Sequence, residues 1–183
     1  RDRGARRSAA HTARVNLLLF PGAGSSSTHS SLLAIEAAVA PMHCVRADFE
    51  YRKAGRKAPD RTPVLLQTVR DAAAPLVADG LVLGGRSMGG RMCSMVVADA
   101  DDPLPARGLV LISYPLHPPG KPESLRTEHL PRLHVPCLFI HGERDPFGSP
   151  AELQQWTATI PGPVTHHWIH GRGHDLKGCD VLI

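Results

Sequence analysis

The chain has 183 residues, of which 42% are hydrophobic and 21% charged, as expected for one soluble globular domain. No run approaches the roughly 18 apolar residues of a membrane span, so we expect no membrane partner. The net charge is +4, but five arginines lie within residues 1–14. We therefore predict a basic, disordered arm over residues 1–14, a single domain over residues 15–183, and no nucleic-acid partner.

The cysteines favour a reduced protein. They lie far apart, form no Cys-x-x-Cys pair, and are Cys44, Cys93, Cys137 and Cys179. Three of them sit in apolar runs, where a free thiol packs as a small hydrophobe. We therefore predict neither a zinc site nor disulfides, and a cytoplasmic location.

Short apolar runs alternate with longer helix-like stretches from residue 15 onward. The predicted elements, in chain order, are strand 15–20, helix 30–39, strand 43–49, helix 64–78, strand 81–84, helix 88–98, strand 108–112, strand 137–141, helix 151–159 and strand 164–169. Several strands are continuous apolar runs, as when both faces of a sheet are covered. The pattern predicts an α/β fold with a mostly parallel sheet and helices on both faces.

The run Gly85-Arg86-Ser87-Met88-Gly89 lies between a predicted strand and a predicted helix. In this context the pattern Gly-x-Ser-x-Gly is typical of a nucleophile on a sharp turn, where glycines avoid steric clashes. We predict Ser87 as the nucleophile. The backbone N–H of Met88 would stabilise a developing oxyanion, with a second donor at Ala23 in the glycine loop after the first strand.

A serine hydroxyl needs a base and an orienting carboxylate to become nucleophilic. The loop after strand 137–141 carries two acidic residues, Glu143 and Asp145. We prefer Asp145 as the acid, because it lies deeper in the turn before Pro146, and Glu143 is the alternative. After the last strand, His174 follows a glycine-rich turn and is the predicted base.

The segment after strand 108–112 reads YPLHPPGKP over residues 114–122. Tyr114 and His117 are candidate substrate-binding residues here, and a merely stiff, proline-rich loop is the equal alternative. The whole connection to strand 137–141 is short. We therefore expect no cap domain over the site.

The segments 21–24 (PGAG), 84–92 (GGRSMGGRM), 114–122, 126–130 (RTEHL) and 142–148 (GERDPFG) together resemble one family. The chain is similar to the dienelactone-hydrolase-related α/β-hydrolases, in the branch of bacterial hydrolases with NSL-complex subunit 3 and testis-expressed relatives. The resemblance covers nearly all of residues 17–174. It implies a serine hydrolase that cleaves a small-molecule acyl substrate without a cofactor.

Other interpretations explain less of the pattern. Ser87 would also suit a helix N-cap, and residues 22–27 approach a dinucleotide-binding loop but lack its third glycine. His166, His167, His170 and His174 fall on a predicted strand and its loop, where alternation directs side chains to two different faces, so we predict no metal site. A non-catalytic interaction module with the same fold remains the functional alternative, although the sequence indicates no protein partner.

Overall fold

The computed structural model describes residues 15–176 and 178. The arm predicted over residues 1–14 lies outside the described residues, as do Cys179 and the end of the predicted domain. The other three cysteines, Cys44, Cys93 and Cys137, are free thiols. The reduced, cytoplasmic setting stays a prediction.

Six strands form one parallel sheet in the order β2-β1-β3-β4-β5-β6. Their bounds are β1 Asn16–Phe20, β2 His43–Arg46, β3 Leu81–Arg86, β4 Gly108–Ile112, β5 Cys137–Gly142 and β6 Val164–Ile169. The four inner strands are short apolar segments with almost no exposed residue. Parallel sheets require such segments because helices cover both faces.

The described residues form five α-helices between the strands: α1 Ser30–Ala38, α2 Glu50–Lys53, α3 Thr62–Ala73, α4 Met88–Val97 and α5 Pro150–Thr157. Short 3₁₀ turns lie at Val77–Asp79 and Leu130–Arg132. Ser149 and Glu152 form a reciprocal capping box at the start of α5, which satisfies N–H groups that a helix start leaves free. Helix α3 ends before Pro75, whose ring cannot continue a helix.

Alternation along β1 divides the core between the two faces of the sheet. Leu18 and Phe20 belong to the larger cluster, which includes residues of α3, α4 and α5. Leu17 and Leu19 belong to the smaller cluster on the other face, with Leu32 and other residues of α1. The prediction of an α/β fold with helices on both faces is therefore confirmed.

Near β2, one predicted element bound was wrong and one short helix was not predicted. The strand ends at Arg46 instead of residue 49. The Asp48 carboxylate accepts hydrogen bonds from Ser27, at 2.7 Å from both its backbone N–H and its Oγ, and Phe49 turns into the core. Helix α2 then begins at Glu50, where no helix was predicted, because four residues are too few to show a helical period.

The connection from β4 to β5 contains one regular element, the 3₁₀ turn at Leu130–Arg132. The structure describes every residue of this connection. No helical cap is inserted here, as the sequence predicted. The carboxyl ends of β1, β3, β4 and β5 lie at one edge of the sheet, which this connection leaves without a helical cover, and sites of α/β sheets usually lie there.

Within residues 15–176 and 178, none of the helices has the length and apolar content that a bilayer-spanning helix requires.

Candidate active site

Ser87 occupies a strained turn between β3 and α4. Its φ of 50° and ψ of −118° lie outside the regions that L-residues ordinarily adopt. A Cβ atom on either Gly85 or Gly89 would lie 2.5 Å from the carbonyl oxygen of Phe20. Only glycine fits at these two positions, so the spacing of the motif follows from the close approach of β1.

The side chains of Ser87, His174 and Asp145 form a continuous hydrogen-bonded series. His174 Nε2 lies 2.8 Å from Ser87 Oγ, and His174 Nδ1 lies 2.8 and 3.0 Å from the two carboxylate oxygens of Asp145. A carboxylate can only accept, so a proton lies on Nδ1, and in that tautomer Nε2 can accept from the serine hydroxyl. The structure thus brings together three residues that are distant in the sequence.

The Asp145 carboxylate is buried among groups that restrain it. The backbone N–H of Phe147 donates to its Oδ1 at 2.9 Å, and the Phe147 ring stacks on the His174 ring at a centroid distance of 3.9 Å. The buried His141 Nε2 lies 3.5 Å from Oδ2. Burial lowers the pKa of His141, although the Asp145 charge opposes this shift.

Glu143, the alternative acid, contacts different groups. Its carboxylate pairs with His170 Nδ1 at 2.8 Å and accepts from the backbone N–H of Gly171 at 3.2 Å. The geometry therefore joins Asp145, and not Glu143, to His174.

Three contacts hold the loop that carries His174. Arg86, next to Ser87 in the chain, donates from Nη2 to the carbonyl oxygen of His174 at 2.9 Å. The N–H of Arg144 donates to the carbonyl of Arg172 at 2.8 Å, and Leu176 is buried in the smaller core cluster. Burial lowers the pKa of the Arg86 guanidinium, and the charges of Asp175 and Asp145 oppose this shift.

Both predicted oxyanion donors lie beside Ser87. Met88 is the first residue of α4, so its N–H has no acceptor within the helix and lies at the positive end of the helix dipole. Ala23 lies in the loop after β1, where the Tyr51 hydroxyl donates to its carbonyl oxygen at 2.8 Å. Ala23 and Met88 line the same cavity as Ser87 and His174.

The cavity beside Ser87 has a volume of about 490 Å³. Its apolar lining comes from Leu65, Met88, Met92, Pro115 and Phe147. Three arginines also line it: Arg86, Arg91 and Arg126. Arg126 was not predicted as a site residue, since only the fold brings its loop to this edge of the sheet.

The two candidate substrate-binding residues, Tyr114 and His117, lie outside this lining. Tyr114 is fully buried, with its hydroxyl 3.1 Å from His129 Nε2. His117 is also buried, and its Nδ1 lies 2.8 Å from the carbonyl oxygen of Pro118. Both side chains point into packed structure. Of their segment, Pro115 is the residue that reaches the cavity.

The histidines around β6 have separate partners. His166 Nε2 lies 2.9 Å from Thr157 Oγ1, and His170 pairs with Glu143. Within the part of the chain that the structure describes, no three His, Cys, Asp or Glu side chains are grouped as they would be around a metal ion.

Several solved structures share this fold. Est1E from Butyrivibrio proteoclasticus matches with a TM-score of 0.71 and 15% identity, over 92% of this chain and 83% of that one. An alpha-beta serine hydrolase homologue from Coxiella burnetii matches with a TM-score of 0.69 and 17% identity, over 93% and 81%. The RedJ thioesterase of the prodiginine pathway in Streptomyces coelicolor matches with a TM-score of 0.67 and 19% identity, over 93% and 88%.

These identities establish likeness of fold alone. The sequence itself matches the family described as "Alpha/beta hydrolase domain" over residues 13–180. That match covers most of the chain and includes Ser87, Asp145 and His174. The chain therefore belongs to the alpha/beta hydrolase domain family.

Proposed function

We propose that the protein is a serine hydrolase that cleaves a small ester or related acyl bond. Ser87 is the nucleophile, His174 the general base and Asp145 the acid that orients the base. The observation that carries this proposal is the series of hydrogen bonds from Ser87 Oγ through His174 to Asp145. It is the geometry that activates a serine hydroxyl.

In the first step, Ser87 Oγ attacks the carbonyl carbon while its proton passes to His174 Nε2. The carbonyl oxygen becomes an oxyanion, which the N–H groups of Met88 and Ala23 would stabilise. Asp145 stabilises the imidazolium that forms and holds its ring in place. Donors already fixed in position cost no reorganisation during the reaction.

In the second step, the bond to the leaving group breaks and His174 returns its proton to that group. Ser87 is left as an acyl-enzyme. Water then gives a proton to His174 Nε2 and attacks the acyl carbon, and the proton returns to Ser87 Oγ as the ester bond breaks. The cycle uses protein groups and water alone.

The names of the structural neighbours support the type of acyl bond that we propose is cleaved. Est1E carries an esterase-type name, and RedJ is described as a thioesterase. Both oxygen esters and thioesters react through the tetrahedral intermediate described above. We therefore include thioesters among the related acyl bonds.

The direct test is covalent labelling with a fluorophosphonate, which reacts with activated serines. Intact-mass analysis should show one adduct, mapped to Ser87 by peptide sequencing. Ser87→Ala should abolish labelling, whereas Ser124→Ala, at an exposed serine, should retain it. A folded wild-type protein that takes up no label would instead favour the non-catalytic interaction module.

Kinetics test whether the residues act as one unit. Ser87→Ala and His174→Ala should each lower kcat for 4-nitrophenyl acetate by several orders of magnitude. The double variant should be scarcely worse than either, because each change alone already disables the series. Additive losses would contradict the proposed roles.

A further inference from the structure

Two arginines line the cavity beside Ser87 and take no part in the proposed hydrogen-bonded series. Arg91 lies in the first turn of α4, where its N–H donates to the carbonyl oxygen of Ser87 at 3.0 Å. Arg126 comes from the connection between β4 and β5, and its N–H donates to the carbonyl oxygen of Leu116 at 2.8 Å. Two different elements therefore bring guanidinium groups to one cavity.

Neither guanidinium has a carboxylate partner among the described residues, and no carboxylate lines the described cavity. Arg70, in contrast, pairs with both Asp99 and Asp102. The buried Arg91 Nε has no hydrogen-bond partner within the described part of the chain. A buried donor without a partner is costly, so a bound acceptor at this position would stabilise it.

The two charges are close enough to interact. Burial lowers the pKa of the Arg126 guanidinium, and the charge of Arg91 lowers it further. Like charges in a partly buried cavity repel each other. A bound anion would relieve both the repulsion and the desolvation of these groups.

The polar groups packed behind Arg91 supply no negative charge. Ser94, Tyr114 and His129 form a buried network there. Burial raises the pKa of Tyr114 to about 12, so its hydroxyl is neutral at pH 7. Burial, together with the charges of Arg91 and Arg132, lowers the pKa of His129 to about 4, so this ring is neutral as well.

We propose that Arg91 and Arg126 form a subsite for an oxyanion group, a carboxylate or a phosphate, that the substrate carries beside its scissile acyl bond. This inference rests on the hydrolase function proposed above. Guanidinium forks bind carboxylates and phosphates through paired, charge-assisted hydrogen bonds. The protein would then prefer anionic esters to neutral esters of the same size.

Matched esters test this preference. On the acyl side, 4-nitrophenyl hydrogen adipate is compared with its methyl ester, which lacks the charge. On the leaving-group side, 4-acetoxybenzoate is compared with its methyl ester, and 4-acetoxyphenyl phosphate separates phosphate from carboxylate recognition. We expect kcat/KM to favour the anionic member by about tenfold or more on at least one side, with the preference decreasing at high salt. Equal values within every pair would overturn the subsite.

Variants connect the preference to the two side chains. Arg91→Met and Arg126→Met should each lower the anionic-to-neutral ratio of kcat/KM by about tenfold. Arg126→Lys should retain part of the ratio, because it keeps the charge and loses the fork. Arg107→Met makes the same charge change at an exposed position before β4, at the opposite edge of the sheet, and should leave the ratio unchanged. An equal loss in Arg107→Met would show a general charge effect and contradict the proposal.

Binding separates this subsite from the hydrolase function. Calorimetry with Ser87→Ala measures the affinity for 4-nitrophenyl hydrogen adipate, 4-acetoxybenzoate and 4-acetoxyphenyl phosphate without requiring turnover. At least one anionic ester should bind about tenfold more tightly than its neutral counterpart, and adding Arg91→Met or Arg126→Met should remove the difference. If this holds while the wild type neither labels nor hydrolyses, the subsite stands and the hydrolase function fails. If the wild type is labelled and hydrolyses esters but shows no preference for anionic esters, the hydrolase function stands and the subsite fails.

Discussion

At the scale of single residues, the two carboxylates after β5 differ in what they contact. Asp145 is joined to His174, whereas Glu143 pairs with His170 near the surface. Asp145→Asn should therefore lower kcat by roughly 10⁴-fold, because an amide no longer selects the tautomer in which Nε2 accepts from Ser87. Glu143→Gln should lower kcat by less than about tenfold. Steady-state kinetics on one neutral ester give the ranking.

Thermal unfolding of both variants provides the control for that comparison. Asp145 also accepts a backbone hydrogen bond from Phe147, so some loss of stability is expected with Asp145→Asn. A folded Asp145→Asn enzyme with near wild-type kcat, beside a disabled Glu143→Gln enzyme, would reassign the acid.

The sequence indicates the positions of some of these residues better than those of others, for a physical reason. Ser87 and its two glycines are recognisable because one strained turn imposes their spacing. Tyr114 follows β4 at the edge of the sheet where the carboxyl ends lie. The local sequence does not indicate whether its ring faces a cavity or the core, and in the structure the ring is buried in the core. Arg126 has no local signal, because its place in the cavity depends on packing of the whole connection.

At the scale of elements, helix α4 is tied to the connection between β4 and β5 by a buried polar network. His129 Nε2 lies 2.8 Å from Ser94 Oγ and 3.1 Å from the Tyr114 hydroxyl. Satisfied networks of this kind hold elements in one arrangement, but they tolerate no added charge. Protonation of His129 would therefore loosen the segment that carries Arg126.

This network predicts a pH-dependent stability. The pKa of His129 is lowered from 6.5 to about 4 in the folded protein, so between those pH values the unfolded chain binds a proton that the folded one does not. The contribution of the neutral His129 ring to the free energy of unfolding is complete above pH 6.5 and is lost as pH falls toward 4. The loss has an upper limit of about 3 kcal/mol. In urea unfolding between pH 7.5 and 4.5, the free energy of unfolding should fall more steeply with decreasing pH for the wild type than for His129→Gln.

The exposed His134 supplies the matched control for this experiment. His134→Gln should retain the wild-type pH dependence. Burial also lowers the pKa values of His141 and His166, but both remain in every variant and cancel in the comparison. Identical pH profiles for the wild type and His129→Gln would contradict the assignment.

Element bounds were predictable where one interaction dominates. The apolar run of β4 matches the predicted range 108–112, because burial in the sheet determines where it begins and ends. Strand β6 also matches its predicted range, 164–169, although its residues alternate between half-buried and exposed before the buried Ile169. The end of β2 was missed, since a distant contact from Ser27 to Asp48 redirects the chain there. Local patterns carry no information about such contacts.

At the scale of the whole molecule, the parallel topology explains how distant residues meet. Ser87, Asp145 and His174 follow β3, β5 and β6, whose carboxyl ends lie at the same edge of the sheet. The order of these residues along the chain, with the strand pattern, was therefore enough to predict their meeting. Part of the cavity wall comes from α3 and α4, but Pro115, Arg126 and Phe147 come from connections of irregular structure, for which no comparable rule exists.

The uncovered edge of the sheet predicts a preference for short acyl groups among neutral esters. The connection over residues 113–136 contains only a 3₁₀ turn, so no inserted helical cap can enclose a long alkyl chain. Full burial of one CH₂ group contributes about 0.8 kcal/mol, or roughly a fourfold gain in kcat/KM. We expect less than about a twofold gain for each CH₂ beyond butyrate in a series of 4-nitrophenyl esters from acetate to decanoate. The measurement is kcat/KM, which compares the stabilisation of each transition state from free enzyme and substrate. A steady rise of about fourfold per CH₂ through decanoate would instead require an enclosed apolar tunnel, because only complete burial yields the full transfer free energy of each added group.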